Sequence, residues 1–244
     1  MKTSWIALAA ASLAASAAAQ APSIQDAKAL EPQREAMRKV WKLQPGKPVP
    51  LVLPLYGRVM RIDIPAGFVP AWKVEARGQF LFEFTEGDET VQNWKRLITI
   101  RSAAGAGAST FEDAFIAEGL FRPATCFADP VYRVLEQKDL GGGLSTIALM
   151  TGCGNVAGGR DGGEKRGLGE IDFIRMFRDR ESVYSFAIAM RRKAYKAEAP
   201  PASDSEALAA LAAFGKVLLC RPDAPEGECR DVLMIDRARA SQRR

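Results

Sequence analysis

Among the side chains able to trade protons near neutral pH, this chain of 244 residues offers carboxylates, lysines and tyrosines, because it contains no histidine. That excludes a Ser-His-Asp triad, a Cys-His dyad and the His-rich kind of catalytic zinc site. Two carboxylates across a cleft can still cleave a glycoside, provided they stand about 5 to 10 Å apart. Glu83, Glu89, Glu170 and Asp172 are the candidates for such a pair, in a cofactor-free hydrolase acting on an envelope polymer. Lys138 with Ser145, or Tyr184 with a nearby lysine, have the types but no distinguishing spacing. No catalytic residue is therefore nominated, and neither a metal nor a cofactor is expected.

Two other groups favour binding over catalysis. Asn93 and Trp94 are suited to locking a loop, the amide satisfying backbone groups while the indole fills a hole. Cations at 175, 178, 180, 191, 192, 193 and 196 gather on one hairpin and its exit, with Arg178, Arg191 and Arg192 as candidate contacts for a partner. Their structural role would be to guard a sheet edge against pairing. Glu86, Asp88 and Glu89 are too few for a calcium loop and read as a solvated acidic turn. The glycines after Gly152 lack the third glycine and helix start of a dinucleotide fingerprint.

Cys126, Cys153, Cys220 and Cys229 form an even set without a CxxC knuckle. Of three connectivities, Cys126 with Cys153 and Cys220 with Cys229 close the most local loops. Disulfides are expected because residues 1–19 point to an oxidising compartment. Lys2, an Ala-rich apolar run from Trp5 to Ala18 and the triplet Ala17, Ala18, Ala19 have the layout of a cleaved export signal. The run is too short and weak to span a bilayer. Cleavage would leave 225 residues and lower the formal charge from +5 to +4, mild for a nucleic-acid binder.

The elements that must position these residues follow from periodicity. Residues 20–50 read as an N-terminal arm with a short amphipathic face on Glu35, Ala36, Met37, Val40 and Trp41. From 51 to 230 a single domain is expected. Arg58 to Ile64 alternates with Met60, Ile62 and Ile64 on one side, and Gly78 to Thr85 puts Phe80, Phe82 and Phe84 on one face. Leu97 to Arg101 is a further strand, Val131 to Gln137 pairs with Ser145 to Gly152, and Glu170 to Phe177 turns into Ser182 to Arg191. Ser109 or Thr110 caps a helix ending at Gly119, and Ser203 or Ser205 caps one running to about Leu219. Residues 154–169 form a glycine-rich loop, and 231–244 a basic tail. The order predicts an α+β fold, an antiparallel sheet with helices packed on it.

The run Phe84-Thr85-Glu86-Gly87-Asp88-Glu89-Thr90-Val91-Gln92-Asn93-Trp94-Lys95-Arg96-Leu97-Ile98-Thr99 resembles a motif of small exported proteobacterial proteins of unknown function. Gly169-Glu170-Ile171-Asp172-Phe173, the Val183-Tyr184 strand and the Arg191-Arg192 end fit the same proteins. The resemblance spans Leu51 to Cys220 and implies a PsbP-like α/β/α sandwich, a binding and assembly fold, without supplying an active site. The expectation is a periplasmic or secreted binding protein whose partner is an envelope protein or an anionic envelope component. Amino-terminal sequencing of the exported protein should begin at Gln20; a product retaining Lys2 would remove the export reading.

Overall fold

A computed structural model describes residues 23–107, 110–113, 126, 128, 130–156, 167–222 and 229–231. The export signal, Ser109, the expected helix end at Gly119, most of the glycine-rich loop and all of the basic tail but Asp231 lie outside them.

Two antiparallel sheets make the frame. In chain order the elements are β1 (Ser23–Gln25), α1 (Glu31–Leu43), β2 (Val49–Leu55), β3 (Arg58–Ile64), β4 (Phe68–Ala76), β5 (Gln79–Glu86), β6 (Arg96–Ala104), β7 (Pro130–Gly141), β8 (Leu144–Cys153), β9 (Leu168–Arg178), β10 (Ser182–Lys193), α2 (Asp204–Ala212), β11 (Leu218–Cys220) and β12 (Arg230–Asp231). The large sheet runs β1-β4-β5-β6-β10-β9-β8-β7, and the small one β12-β11-β3-β2. The expected helices on a sheet, and the PsbP-like layering with them, are therefore corrected to a sheet-dominated fold. The reason is local: residues 49–64 keep a period of two, so a second sheet contributes much of the cover expected of helices.

Period-two alternation places the core as the sequence implies. Phe80, Phe82 and Phe84 of β5 join Ile98 and Ile100 of β6, Phe173 and Phe177 of β9 and Phe186 of β10 in one cluster. Met60, Ile62 and Ile64 of β3 belong to it too, each at most 1% exposed. Each such side chain contributes about 1.5–3 kcal/mol by leaving water. On the opposite face of the large sheet, Ile147, Leu149, Ile174, Met176, Val183 and Ala187 form a second cluster against which Phe111 packs. The Thr110 hydroxyl accepts from the Asp113 amide at 3.0 Å, so Thr110 caps this segment as expected.

Several boundaries differ from the reading of the sequence. Pro70 lies inside β4, a strand the periodicity did not reveal; a register shift between Pro70 and Trp72 accommodates a residue with no N–H to give. The arm is part of the fold. β1 pairs with β4, and α1 buries Arg34, whose guanidinium donates to the Pro70 carbonyl at 2.7 Å and the Gly87 carbonyl at 3.2 Å. Burial and the neighbouring Arg38 cation pull the Arg34 pKa below its ordinary value, against the opposing pull of Glu31 and Asp88. Helix α2 carries a full capping box between Ser203 and Glu206 but stops at Ala212. The chain then turns at Gly215, with φ of 66°, into β11. Both disulfides, Cys126–Cys153 and Cys220–Cys229, form as the locality argument anticipates.

One polar knot joins the sheets. In the β9–β10 turn, Asp179 accepts from the amides of Glu181 and Ser182 at 2.9 Å each, and from Arg58 Nε of β3 at 2.9 Å. The Tyr184 hydroxyl donates to the Tyr56 carbonyl at 2.6 Å. Burial pushes the Tyr184 pKa up to about 12, so this phenol stays a donor. Burial alone would raise the Asp179 pKa, but the two amides and Arg58 outweigh it and hold the group below its ordinary value. A carboxylate depressed in this way stabilises the fold fully above its unfolded pKa of about 4, and the contribution fades as pH falls through the folded value. Asp179→Ala should lose on the order of 2–3 kcal/mol in urea melts at neutral pH. The gap from wild type should shrink at acid pH; an equal gap at both would show that the charge is not what joins the sheets.

Candidate functional site

Antiparallel pairing brings the start of β6 beside the end of β10. Arg96 is registered against Met190, and the Arg191 amide donates to the Lys95 carbonyl at 2.9 Å. Residues nearly a hundred positions apart thus share one end of the large sheet. Before β6, Thr90 and Asn93 exchange backbone hydrogen bonds of 3.2 and 3.1 Å. The Lys95 amide donates to Glu89 Oε2 at 3.0 Å, and the Thr85 hydroxyl to the Glu89 carbonyl at 2.7 Å. This tight turn sends the Trp94 indole inward against Leu97 and Ala189, leaving it 5% exposed.

Arg191 covers Trp94. Its guanidinium carbon lies 4.0 Å from the indole centroid, Nη1 donates to the Gln92 carbonyl at 3.1 Å, and Nε stands 3.5 Å from Glu170 Oε2. A guanidinium over an aromatic face with a carboxylate at its edge is a rigid arrangement. Asn93 is exposed at the rim, as is Arg192, whose Nη2 lies 3.4 Å from the Met190 sulfur. So the structure brings Asn93, Trp94, Arg191 and Arg192 together.

Arg178 does not join them. It lies at the opposite end of β9, roughly 26 Å away at the rise of a β-strand, with its guanidinium 5.2 Å from the Phe111 ring centroid. Arg175, counted on sequence among the hairpin cations, is 2% exposed on the core side of β9 and bound to Glu136 of β7 at 2.8 Å. Two members of the cluster escaped the sequence reading, Lys95 and Arg96, although they directly follow Trp94. Arg96 is ion-paired with Glu86 and lies over the Phe68 ring. Lys95, Arg192 and Lys193 are exposed and form no ion pair with any described residue.

Comparison with known proteins adds little to this geometry. No family model matches, and no curated protein matches. Among solved structures, the Saccharomyces cerevisiae Ran-binding protein Mog1p is 14% identical, with a TM-score of 0.33 over 68% of this chain and 84% of that one. A point mutant of Mog1 is 13% identical, with a TM-score of 0.33 over 59% of this chain and 79% of that one. At such scores neither fold nor function carries over.

The carboxylates nominated for hydrolysis are scattered. Glu83 is buried in β5, and Glu89 is tied to the Lys95 amide. Glu170 and Asp172 are neighbours on one face of β9, about 7 Å apart along the strand, but Glu170 is held by Arg191. A shallow groove of about 720 Å³ beside α1 contains Glu31, Asp88 and Glu89 with Lys28, Arg34 and Arg38. There Arg38 bonds Glu31 and Asp88 at 2.7 Å each, filling the space between them that a scissile bond would need.

The role of the indole is testable by truncation. Trp94→Ala should cost about 3–5 kcal/mol in denaturant unfolding, with Trp94→Phe recovering much of the loss. A full-strength fold in the alanine variant would mean that the rim is not anchored through this ring.

Proposed function

We propose that the protein is exported to the periplasm or beyond and acts there as a non-enzymatic binding or assembly protein of the cell envelope. The observation that carries the reading is the group Lys95, Arg192 and Lys193, exposed and without described ion partners beside the fixed Trp94–Arg191 platform. Exposed cations with no ion pair to a described residue, on a rigid base, attract an anionic partner at long range without first breaking such pairs. Two disulfides suit an oxidising compartment. Among the described residues no helix is long and apolar enough to cross a membrane. The resemblance of the Asn93-Trp94 segment to exported proteobacterial proteins supports the same location.

The working surface is narrower than the hairpin as a whole. Arg178 stands over Phe111 at the other end, and Arg191 is committed to Trp94 and Glu170. The test is capture from an envelope extract by the tagged protein, followed by mass spectrometry of what survives a mild salt wash. Combined Lys95→Glu, Arg192→Glu and Lys193→Glu should abolish capture without changing the melting temperature, whereas Arg178→Glu should leave it intact. Unchanged capture by the triple variant would overturn the assignment of this surface.

A further inference from the structure

We infer that the basic end of the large sheet docks on a membrane surface rich in anionic phospholipid; this deepens the reading above and rests on it. Cross-strand pairing puts Lys95 and Lys193 toward one face of the sheet and Arg192 toward the other, with exposed Lys196 just beyond the strand. Their charges fan outward from the sheet end. The groove beside α1 is lined by other residues. Such a display fits an extended layer of anions better than one small anion in a pocket.

A flat polyanion is a charged lipid surface or an acidic protein face, and the neighbours of these cations decide between them. Protein interfaces centre on apolar or aromatic anchors and are depleted in lysine. Among the described residues the exposed rim includes Gln92, Asn93, Lys95, Arg192, Lys193 and Lys196, and neither large ring nearby is an exposed anchor: Trp94 is buried, and Tyr195 is half-buried with its hydroxyl donating to the Glu170 carbonyl at 2.6 Å. The exposed large apolar residues, Ile24, Leu43, Val52, Tyr132 and Val134, belong to other elements. Lysine is a compact, hydrated point charge on a flexible stem, and attraction to a layer of headgroup phosphates requires neither directed hydrogen bonds nor an apolar anchor. Arg191 acts as a positioning residue: clamped on Trp94, it keeps the end of β10 in place so that its successors point outward.

The experiment is sedimentation of the full exported chain with vesicles of equal parts phosphatidylcholine and phosphatidylglycerol, and with phosphatidylcholine alone. Binding is expected to the mixed vesicles only, and to weaken as salt rises. Each cation neutralised should lower partitioning about fivefold, so Lys95→Gln with Arg192→Gln and Lys193→Gln should lower it on the order of a hundredfold. These exposed changes should leave the melting temperature unmoved, and Arg178→Gln should bind like the wild type. Wild-type protein that ignores the mixed vesicles, or a triple variant that binds them as the wild type does, would overturn the inference. If the wild type ignores vesicles yet captures a protein from lipid-free envelope material through the same three cations, the lipid assignment falls and the binding reading stands. Failure of both removes both.

Discussion

A face-to-face pair of sheets has no backbone hydrogen bonds between its layers, so apolar contact alone would let them slide. Here a carboxylate helps to limit that freedom. Asp179 closes the β9–β10 turn through two amides and reaches across to Arg58 of the small sheet, while Tyr184 donates to the β2–β3 turn at Tyr56. The β9–β10 hairpin is held by the same contacts that hold the layers, and everything at its far end inherits its position. The close approach of the chain at Gly107, where a Cβ would run into the backbone of Asp179 to Glu181, packs a third segment against the same knot.

A second theme is how many cations the fold consumes. Arg34 ties α1 to two carbonyls, Arg175 is buried against Glu136, Arg96 is spent on Glu86, and Arg191 lies flat on Trp94. Arginine serves here because its planar fork satisfies several acceptors with little loss of freedom. What is left at the surface of this sheet end is largely lysine, with Arg192. The division of labour explains why a hairpin that looks uniformly basic along the chain presents a compact charged patch at one end.

Legibility in the sequence followed the range of the interaction. Met60, Ile62 and Ile64, like Phe80, Phe82 and Phe84, declare their faces through alternation, because burial acts on each side chain in turn. Thr110 and Ser203 declare caps, and the local cysteine pairs declare themselves by spacing. The β4 strand was hidden because Pro70 is a breaker unless a bulge receives it, and that bulge depends on strand pairing. The burial of Arg175 was hidden as well: its compensation comes from Glu136, thirty-nine residues away on a different hairpin. Layering is not legible, because no local signal says whether a sheet will be covered by helices or by a second sheet. In the site, Asn93, Trp94, Arg191 and Arg192 were found by residue type. Their separation from Arg178 appears only when strand length is converted into distance.

The two disulfides join Cys126 to Cys153 and Cys220 to Cys229, so each cysteine is bonded to the next one along the chain. For a polypeptide threading into an oxidising space with its amino terminus leading, this order has a kinetic meaning. An oxidase that links thiols as they emerge produces the native set directly, and no reshuffling by thiol–disulfide exchange is required.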